Sequence, residues 1–365
     1  MNRLGEAVLT RISSRNKKTG VKKLITEIIT ENTNWVTPDD VIDNSYTVRI
    51  FGGGGASSGM LFTAKDTQMG TCGGGGGYMN NNTFEIESRK VVSIVIGSGG
   101  KFNNKASTGN SGGTTSFGSY ISAVGGEGGG IDGAGNGGSG GGGISHEFVT
   151  TSGSVSNHFR RFIGGSGNQF GGGGILGNGG RWGGKGGDAN QSTNGTNTIS
   201  TGLGSNLEGL GLGGTSFIGD YVTTRFGGGY GGYGGKGGNA TYNINKSYYQ
   251  KFSKLINAGY GGGGGFGASG GDGEANMIFN GNLNSSYRLN TARGAGGGGG
   301  YTISGKGGDG FVEKYGLDDV IAHGGGGGAY GPGGGKSTRP LYGGGGCYNK
   351  DGADGICIIQ YYKYE

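Results

Sequence analysis

The stretch "GGYGGYGGKGGN", residues 228–239, is four consecutive triplets, each holding two glycines and one larger residue. Glycine loses more conformational freedom on folding than any other residue, so a run like this must either stay unfolded or gain an unusual number of partners. Glycine-rich triplets can wind as a left-handed extended helix with three residues per turn and a rise of about 3.1 Å. That helix makes no internal hydrogen bonds, so every N–H and C=O needs a neighbour. With two bare edges per triplet, helices of this kind can pack as a lattice bonded on all sides. Tyr230, Tyr233, Lys236 and Asn239 then fall on one edge, which predicts a rim of side chains around a glycine interior.

The remaining sequence favours this packed reading over a flexible linker. Of 365 residues 102 are Gly and only 3 are Pro, which excludes collagen and resembles low complexity. Yet aromatic residues make up 10% and charged residues 15%, the reverse of the balance in disordered chains. The triplets also recur. "GGGGILGNGGRWGGKGGDA", "GGGYGGYGGKGGNA", "GYGGGGGFGASGGDGEA" and "GGGGGYTISGKGGDG" vary one unit, ending on Asp188, Asn239, Asp272 and Asp309, with a looser fifth at Asp354. A shared core at uneven spacing predicts a stacked repeat with variable insertions.

Flanking the glycines are β candidates. "SYTVRIFGGGG" (45–55), "RKVVSIVIGSGG" (89–100), "SFGSYISAVGG" (116–126) and "GICIIQYYKY" (355–364) all read as strands, and the likeness of the first to the last predicts a sheet joining the two ends of the chain. The expected fold is therefore mostly irregular and all-β: a small β-sheet framework, a stack of polyglycine-II helices with long variable loops, and a short N-terminal helical segment. Three regions follow: an attachment segment over 1–45, a strand and glycine framework over 46–126, and the repeat domain over 127–365.

The N-terminal region carries seven basic residues against Glu6 and Glu27 within its first 30, leaving about one of the six net positive charges for the rest of the chain. A nucleic-acid reader spreads its basic charge along a face, so nucleic acid is not an expected partner. Leu4, Val8 and Ile12, then Leu24 and Ile28, recur near helical spacing and are the expected docking residues. No segment has the length or composition of a secretory signal or a membrane span, which suggests synthesis in the cytosol. Cys72, Cys347 and Cys357 form neither a disulfide framework nor a zinc motif.

Motifs suggestive of chemistry are weak. "YGPGGGKST" (330–338) lacks the leading Gly of a phosphate loop and is followed by Pro340. The "GGSGG" around Ser139 is expected by chance at this glycine content. His146, His158 and His323 have no metal-ligand spacing. No enzyme, catalytic residue, metal or cofactor is expected, and Asp272, Asp309 and Asp354 read as turn caps. The information sits in the insertions near 144–163, 190–212, 240–258, 275–293 and 311–323. They are rich in Tyr, Asn, Ser and Arg, the composition of adaptable recognition loops. Candidate contacts are Phe159, Arg160 and Arg161, then Tyr242, Tyr248, Tyr249 and Phe252, then Tyr287 and Arg288.

"YTVRIFGGGG", "VVSIVIGSGG", "GGTTSFGSYISAVGG" and "GADGICIIQYYKY", in this order, resemble the glycine-rich domains of bacteriophage tail fibres and receptor-binding adhesins over roughly residues 46–365. The chain is also similar to the tip adhesins of T-even phages, whose polyglycine-II stacks carry hypervariable loops. The resemblance implies a virion protein, made in the host cytoplasm, that docks by its N-terminus on other tail or baseplate proteins. Its loops would bind a host surface protein or glycan, and self-association as a homotrimer is a further implied option. A purely structural tail component without receptor contact is the alternative. The chain is longer than those adhesins, and its non-glycine N-terminus spans only about 45 residues.

Overall fold

In a computed structural model of the protein, residues 20–62, 68–151, 155–174, 179–180, 235–243, 261–282, 286–315 and 319–364 are described. Among these described residues regular structure is almost entirely β, in four small, mainly antiparallel sheets. The first orders β1 (Lys22–Ile29), β17 (Ile356–Tyr364), β3 (Ser45–Phe51) and β6 (Met79–Glu85). The last strand thus pairs with β3, its predicted partner, in the register Ile359–Val48. The second orders β2 (Thr33–Val36), β7 (Val91–Val95), β8 (Thr115–Phe117) and β9 (Ile121–Ala123).

These two sheets face each other. β3 alternates Tyr46, Val48 and Ile50 into the core, and β7 contributes Val92 and Ile94 on every second residue, the period-2 pattern that buries one face of a strand. Between them Trp35 packs edge-on against Tyr46 with centroids 5.4 Å apart, and its indole N–H donates to Glu27 at 2.9 Å, so the buried ring keeps its polar atom satisfied.

Here the expected N-terminal helix is corrected. Residues 22–29 form strand β1, paired along its length with β17 from Lys22–Tyr364 to Ile29–Cys357. Ile25, Thr26, Ile28 and Ile29 are β-branched, which disfavours helix and suits a pleated surface, and Ile25 and Ile29 pack on the core while Leu24 and Ile28 face outward. Leu4, Val8 and Ile12 lie outside the described residues.

The third sheet orders β15 (Phe311–Tyr315), β16 (Asp319–His323), β5 (Gln68–Thr71) and β4 (Leu61–Phe62). The fourth orders β11 (Val155–Phe162), β10 (Ile144–Thr151), β14 (Ser286–Gly294), β13 (Gly273–Asn282) and β12 (Ala240–Asn243). A second core of Leu61, Cys72, Ile144, Ala292, Val312, Val320 and Ala322 joins these two. The insertions at 144–163, 275–293 and 311–323, expected as loops, are thus β-hairpins. Two insertion arms of matching length can satisfy each other's backbone groups, which an irregular loop of that length cannot.

Glycine segments fill the space between the sheets, and their bonding has a period of three. Gly52, Gly55 and Ser58 donate to the carbonyls of Tyr78, Gly75 and Cys72 at 2.9–3.0 Å. Gly53 and Ala56 donate to Gly113 and Asn110, Gly54 and Ser57 to Ala353 and Lys350. The carbonyls of Gly53 and Ala56 accept from Gly126 and Gly129, that of Gly54 from Gly100, and that of Gly55 from Gly346. One segment is therefore bonded to six others, and on four of those sides each third residue returns to the same neighbour. The opening triplets follow the same rule where described: Gly270 and Gly273 donate to the carbonyls of Lys236 and Asn239 at 2.8 Å. Lys236 and Asn239 are exposed while Gly235, Gly237 and Gly238 are buried, which is the rim and interior the triplet period predicts.

Candidate functional site

The hairpins β10–β11 and β13–β14 stand side by side through the β10–β14 ladder. Their bases are fixed to the glycine bundle: Ala295, just after β14, donates to the carbonyl of Gly143, just before β10, at 3.0 Å. A buried arginine reinforces this base. Arg293 is fully buried and donates from Nη1 to Ser145 Oγ at 3.3 Å, a bond between adjacent strands in the register Ser145–Arg293. Nothing in "LNTARGAGG" marks Arg293 as an interior residue, because an arginine beside a glycine run reads as a solvated side chain.

At the far end, Thr151 lies opposite both Val155 and Tyr287, and Tyr287 lies opposite Gly281. The last described pairs of the two hairpins are thus neighbours, with Tyr287 and Arg288 on β14 at that end. The other candidates fall elsewhere. Phe159, Arg160 and Arg161 are on the edge strand β11, opposite Glu147, His146 and Ser145. Tyr242 is on the opposite edge strand β12, in the register row of Ala275, Arg293, Ser145 and Arg161. Six residues separate that row from Tyr287 along β14, about 20 Å at strand rise. The candidates therefore form a tip group and a basal row, not one patch. Tyr248, Tyr249 and Phe252 lie outside the described residues.

The acidic repeat markers take a different part. Asn239 N–H donates to Asp272 Oδ1 at 2.6 Å, and Asp272 N–H donates to Asp309 Oδ1 at 2.8 Å. Gly99 N–H donates to Asp354 Oδ1 at 2.7 Å. Each carboxylate caps an N–H of a neighbouring segment rather than its own turn, so successive repeats are laddered marker to marker. Among the described residues no group of three His, Cys, Asp or Glu side chains is arranged to hold a metal ion.

One polar cluster has the residue types of a catalytic triad. His323 Nδ1 lies 3.1 Å from Thr71 Oγ1 and Nε2 lies 3.2 Å from Glu313 Oε1. Thr71 and the His323 ring are fully buried, so the hydroxyl has no approach from solvent. Phe311 and Tyr348 enclose the imidazole at 4.8 and 4.3 Å. Burial of the ring lowers the His323 pKa, outweighing the pull of Glu313, and the hydrogen bond from His323 lowers that of Glu313. Neutral imidazole and ionised carboxylate lock β5, β15 and β16 together. Ser139, also fully buried, donates to the carbonyl of Gly328 and is a strut of the bundle.

A family described as a glycine-rich domain matches residues 28–275, and the chain belongs to that family. Comparison with curated proteins returns no match.

Proposed function

We propose that this member of the glycine-rich domain family is a receptor-binding protein of a bacteriophage tail, carried on the virion and made in the host cytoplasm. In this reading the glycine segments are polyglycine-II helices, a description supported by the three-residue period and six-way bonding of residues 52–58 and by the period of that helix type. The bundle is the mount and the paired hairpins are the recognition elements. The observation that carries the reading is the juxtaposition of the far ends of two hairpins, in the pairs Thr151–Val155, Thr151–Tyr287 and Gly281–Tyr287, on bases bonded to the bundle. Recognition elements ordered beforehand lose less entropy on contact, and several copies per particle multiply weak contacts.

The binding residues of this reading are Tyr287 and Arg288 at the tip, with Phe159, Arg160, Arg161 and Tyr242 lower on the same sheet; the target is a host surface protein or glycan. Attachment to the tail falls to the N-terminal region. Leu24 and Ile28 suit it, being about half exposed on the edge strand β1 and lying opposite Tyr362 and Ile358. No catalytic, metal or cofactor role is assigned. Labelled protein should adsorb to susceptible cells and not to resistant mutants. The double variant Tyr287→Ala, Arg288→Ala should reduce adsorption at least about tenfold, the scale of interface hot spots. Equal adsorption to both cell types would instead support a structural tail component that touches no receptor.

A further inference from the structure

Away from the hairpins, β6 is the outermost strand of its sheet and carries three successive exposed asparagines, Asn80, Asn81 and Asn82. A cleft opens on each side of them. One, of about 440 Å³, lies against the turn Gly118–Ser122 with Tyr120 in its wall. The other, of about 350 Å³, lies against Phe266 and Tyr301, whose rings stack with centroids 5.1 Å apart and planes 6° from parallel. Both are within the range of about 300–1,000 Å³ usual for small-ligand sites. Asn80 and Asn81 line both clefts, so the two are joined across the strand.

The hydrogen bonds divide these residues into struts and free groups. Gln169 spends both ends of its amide on the Met79 backbone, at 2.6 and 2.7 Å. Asn80 Nδ2 donates to the Ser122 carbonyl at 3.1 Å. Asn81 N–H donates to Asn80 Oδ1 at 3.0 Å and Thr83 N–H to Asn82 Oδ1 at 2.9 Å. Among the described residues the Asn81 amide and the Asn82 Nδ2 have no partner. The edge donors at Asn81 and Thr83 are already capped, which disfavours addition of a further β-strand.

What remains is unpaired amide groups between aromatic walls, and no lining residue of either cleft is charged. An amide offers paired donor and acceptor atoms to neighbouring hydroxyls, and an aromatic wall receives the C–H face of a sugar ring. We propose that the Asn80–Asn82 groove is a binding site for neutral pyranose sugars, with one sugar-sized subsite on either side of β6. It is separate from the hairpin tips and does not depend on the adhesion reading.

The test uses the full chain and three neutral probes: lactose, N,N′-diacetylchitobiose and maltotriose. Saturation-transfer NMR should move magnetisation from aromatic protein protons to the ring C–H protons of at least one sugar. Asn81→Ala should weaken that binding about tenfold. Asn81→Trp, which fills the groove from an exposed position, should abolish it with the melting temperature unchanged. Absence of transfer to all three sugars overturns the proposal, as does binding that persists in Asn81→Trp. Binding of an extended Thr/Val peptide with shifts of the β6 amides would also overturn it, in favour of strand addition. Purified protein and free sugars are used, so the result is independent of cell adsorption.

Discussion

Gly55→Ala tests the glycine bundle most directly. At an ordinary solvent-exposed glycine the substitution is neutral or stabilising by about 0.4–1 kcal/mol, because alanine has fewer unfolded states to lose. At Gly55 the new Cβ would lie 1.9 Å from the Glu127 carbonyl oxygen, where ordinary contact begins at 3.4 Å. The obstacle is backbone, so no side chain can rotate away, and the two segments must part by more than an ångström. Three bonds are tied to that spot: Gly55 to Gly75 at 2.9 Å, Gly75 to Glu127 at 2.8 Å and Gly346 to Gly55 at 2.7 Å. Losing them, with some groups left unsatisfied, should cost about 3–5 kcal/mol. At roughly 2 °C per kcal/mol for a chain of this size, calorimetry should register a fall of about 6–10 °C. Gly20→Ala, at an exposed glycine outside the bundle, is the control and should stay within about 0.5 kcal/mol. A Gly55→Ala protein as stable as the parent would refute the six-way packing, since only close backbone contact gives the substitution this sign.

Three further outcomes are expected. Stability should fall as the pH drops from about 6.5. The folded pKa of His323 is depressed by burial and that of Glu313 by its hydrogen bond. The unfolded chain therefore binds more protons than the folded one, and both contributions are lost on acidification. A melting temperature flat between pH 7 and 4.5 would contradict this, and His323→Gln should flatten the upper part of the curve. Burial pushes the thiols of Cys72, Cys347 and Cys357 up to about 12, so an aromatic disulfide reagent should find no fast-reacting thiol in native protein and three in urea. Asp309→Ala should cost about 1–2 kcal/mol in urea titrations by uncapping Asp272 N–H. Asp309→Asn, which keeps an acceptor oxygen, should cost less, the exposed Lys306 pair being worth little.

The framework was legible in the sequence where local pattern and final environment agree. β3 and β7 alternate and lead into glycine, β17 runs apolar from just after Gly355, and their burial follows that pattern. β1 is ambiguous in the sequence because "LITEII" fits both a helical face and a strand. The deciding partner, β17, lies more than 300 residues away, as in the pair Ile28–Ile358. The same distance problem hid the hairpins. Their polar, variable sequences fit loops equally well, and only the ladder between β10 and β14 shows which edges meet. Composition points to Tyr287, Arg288 and Arg161 alike, and no local signal places the first two at the far end of the sheet and the last near its base. Consecutive asparagines such as Asn80–Asn82 give no local sign of a strand, since asparagine is depleted in strands and favoured in turns.

The bundle sets where the chain can vary. In the rim triplet Lys236–Gly238 the two glycines are buried, and a Cβ at Gly238 would lie 1.8 Å from the Gly271 carbonyl oxygen. The third position opens to the rim, as at Lys236 and Asn239, and takes any side chain at little cost. Hairpins leave the bundle at its ends, where each strand carries its own pairing partner and asks of the glycines only a fixed pair of anchor points, such as Gly143 and Ala295. Substitutions toward the far ends of β10–β11 and β13–β14 lie away from Ile144, Ala292 and Arg293 and therefore leave that core in place. Substitutions at bundle glycines that face neighbouring backbone, as at all of Gly52, Gly53, Gly54 and Gly55, do the reverse. A scaffold divided in this way can keep its fold while its exposed rim residues are exchanged.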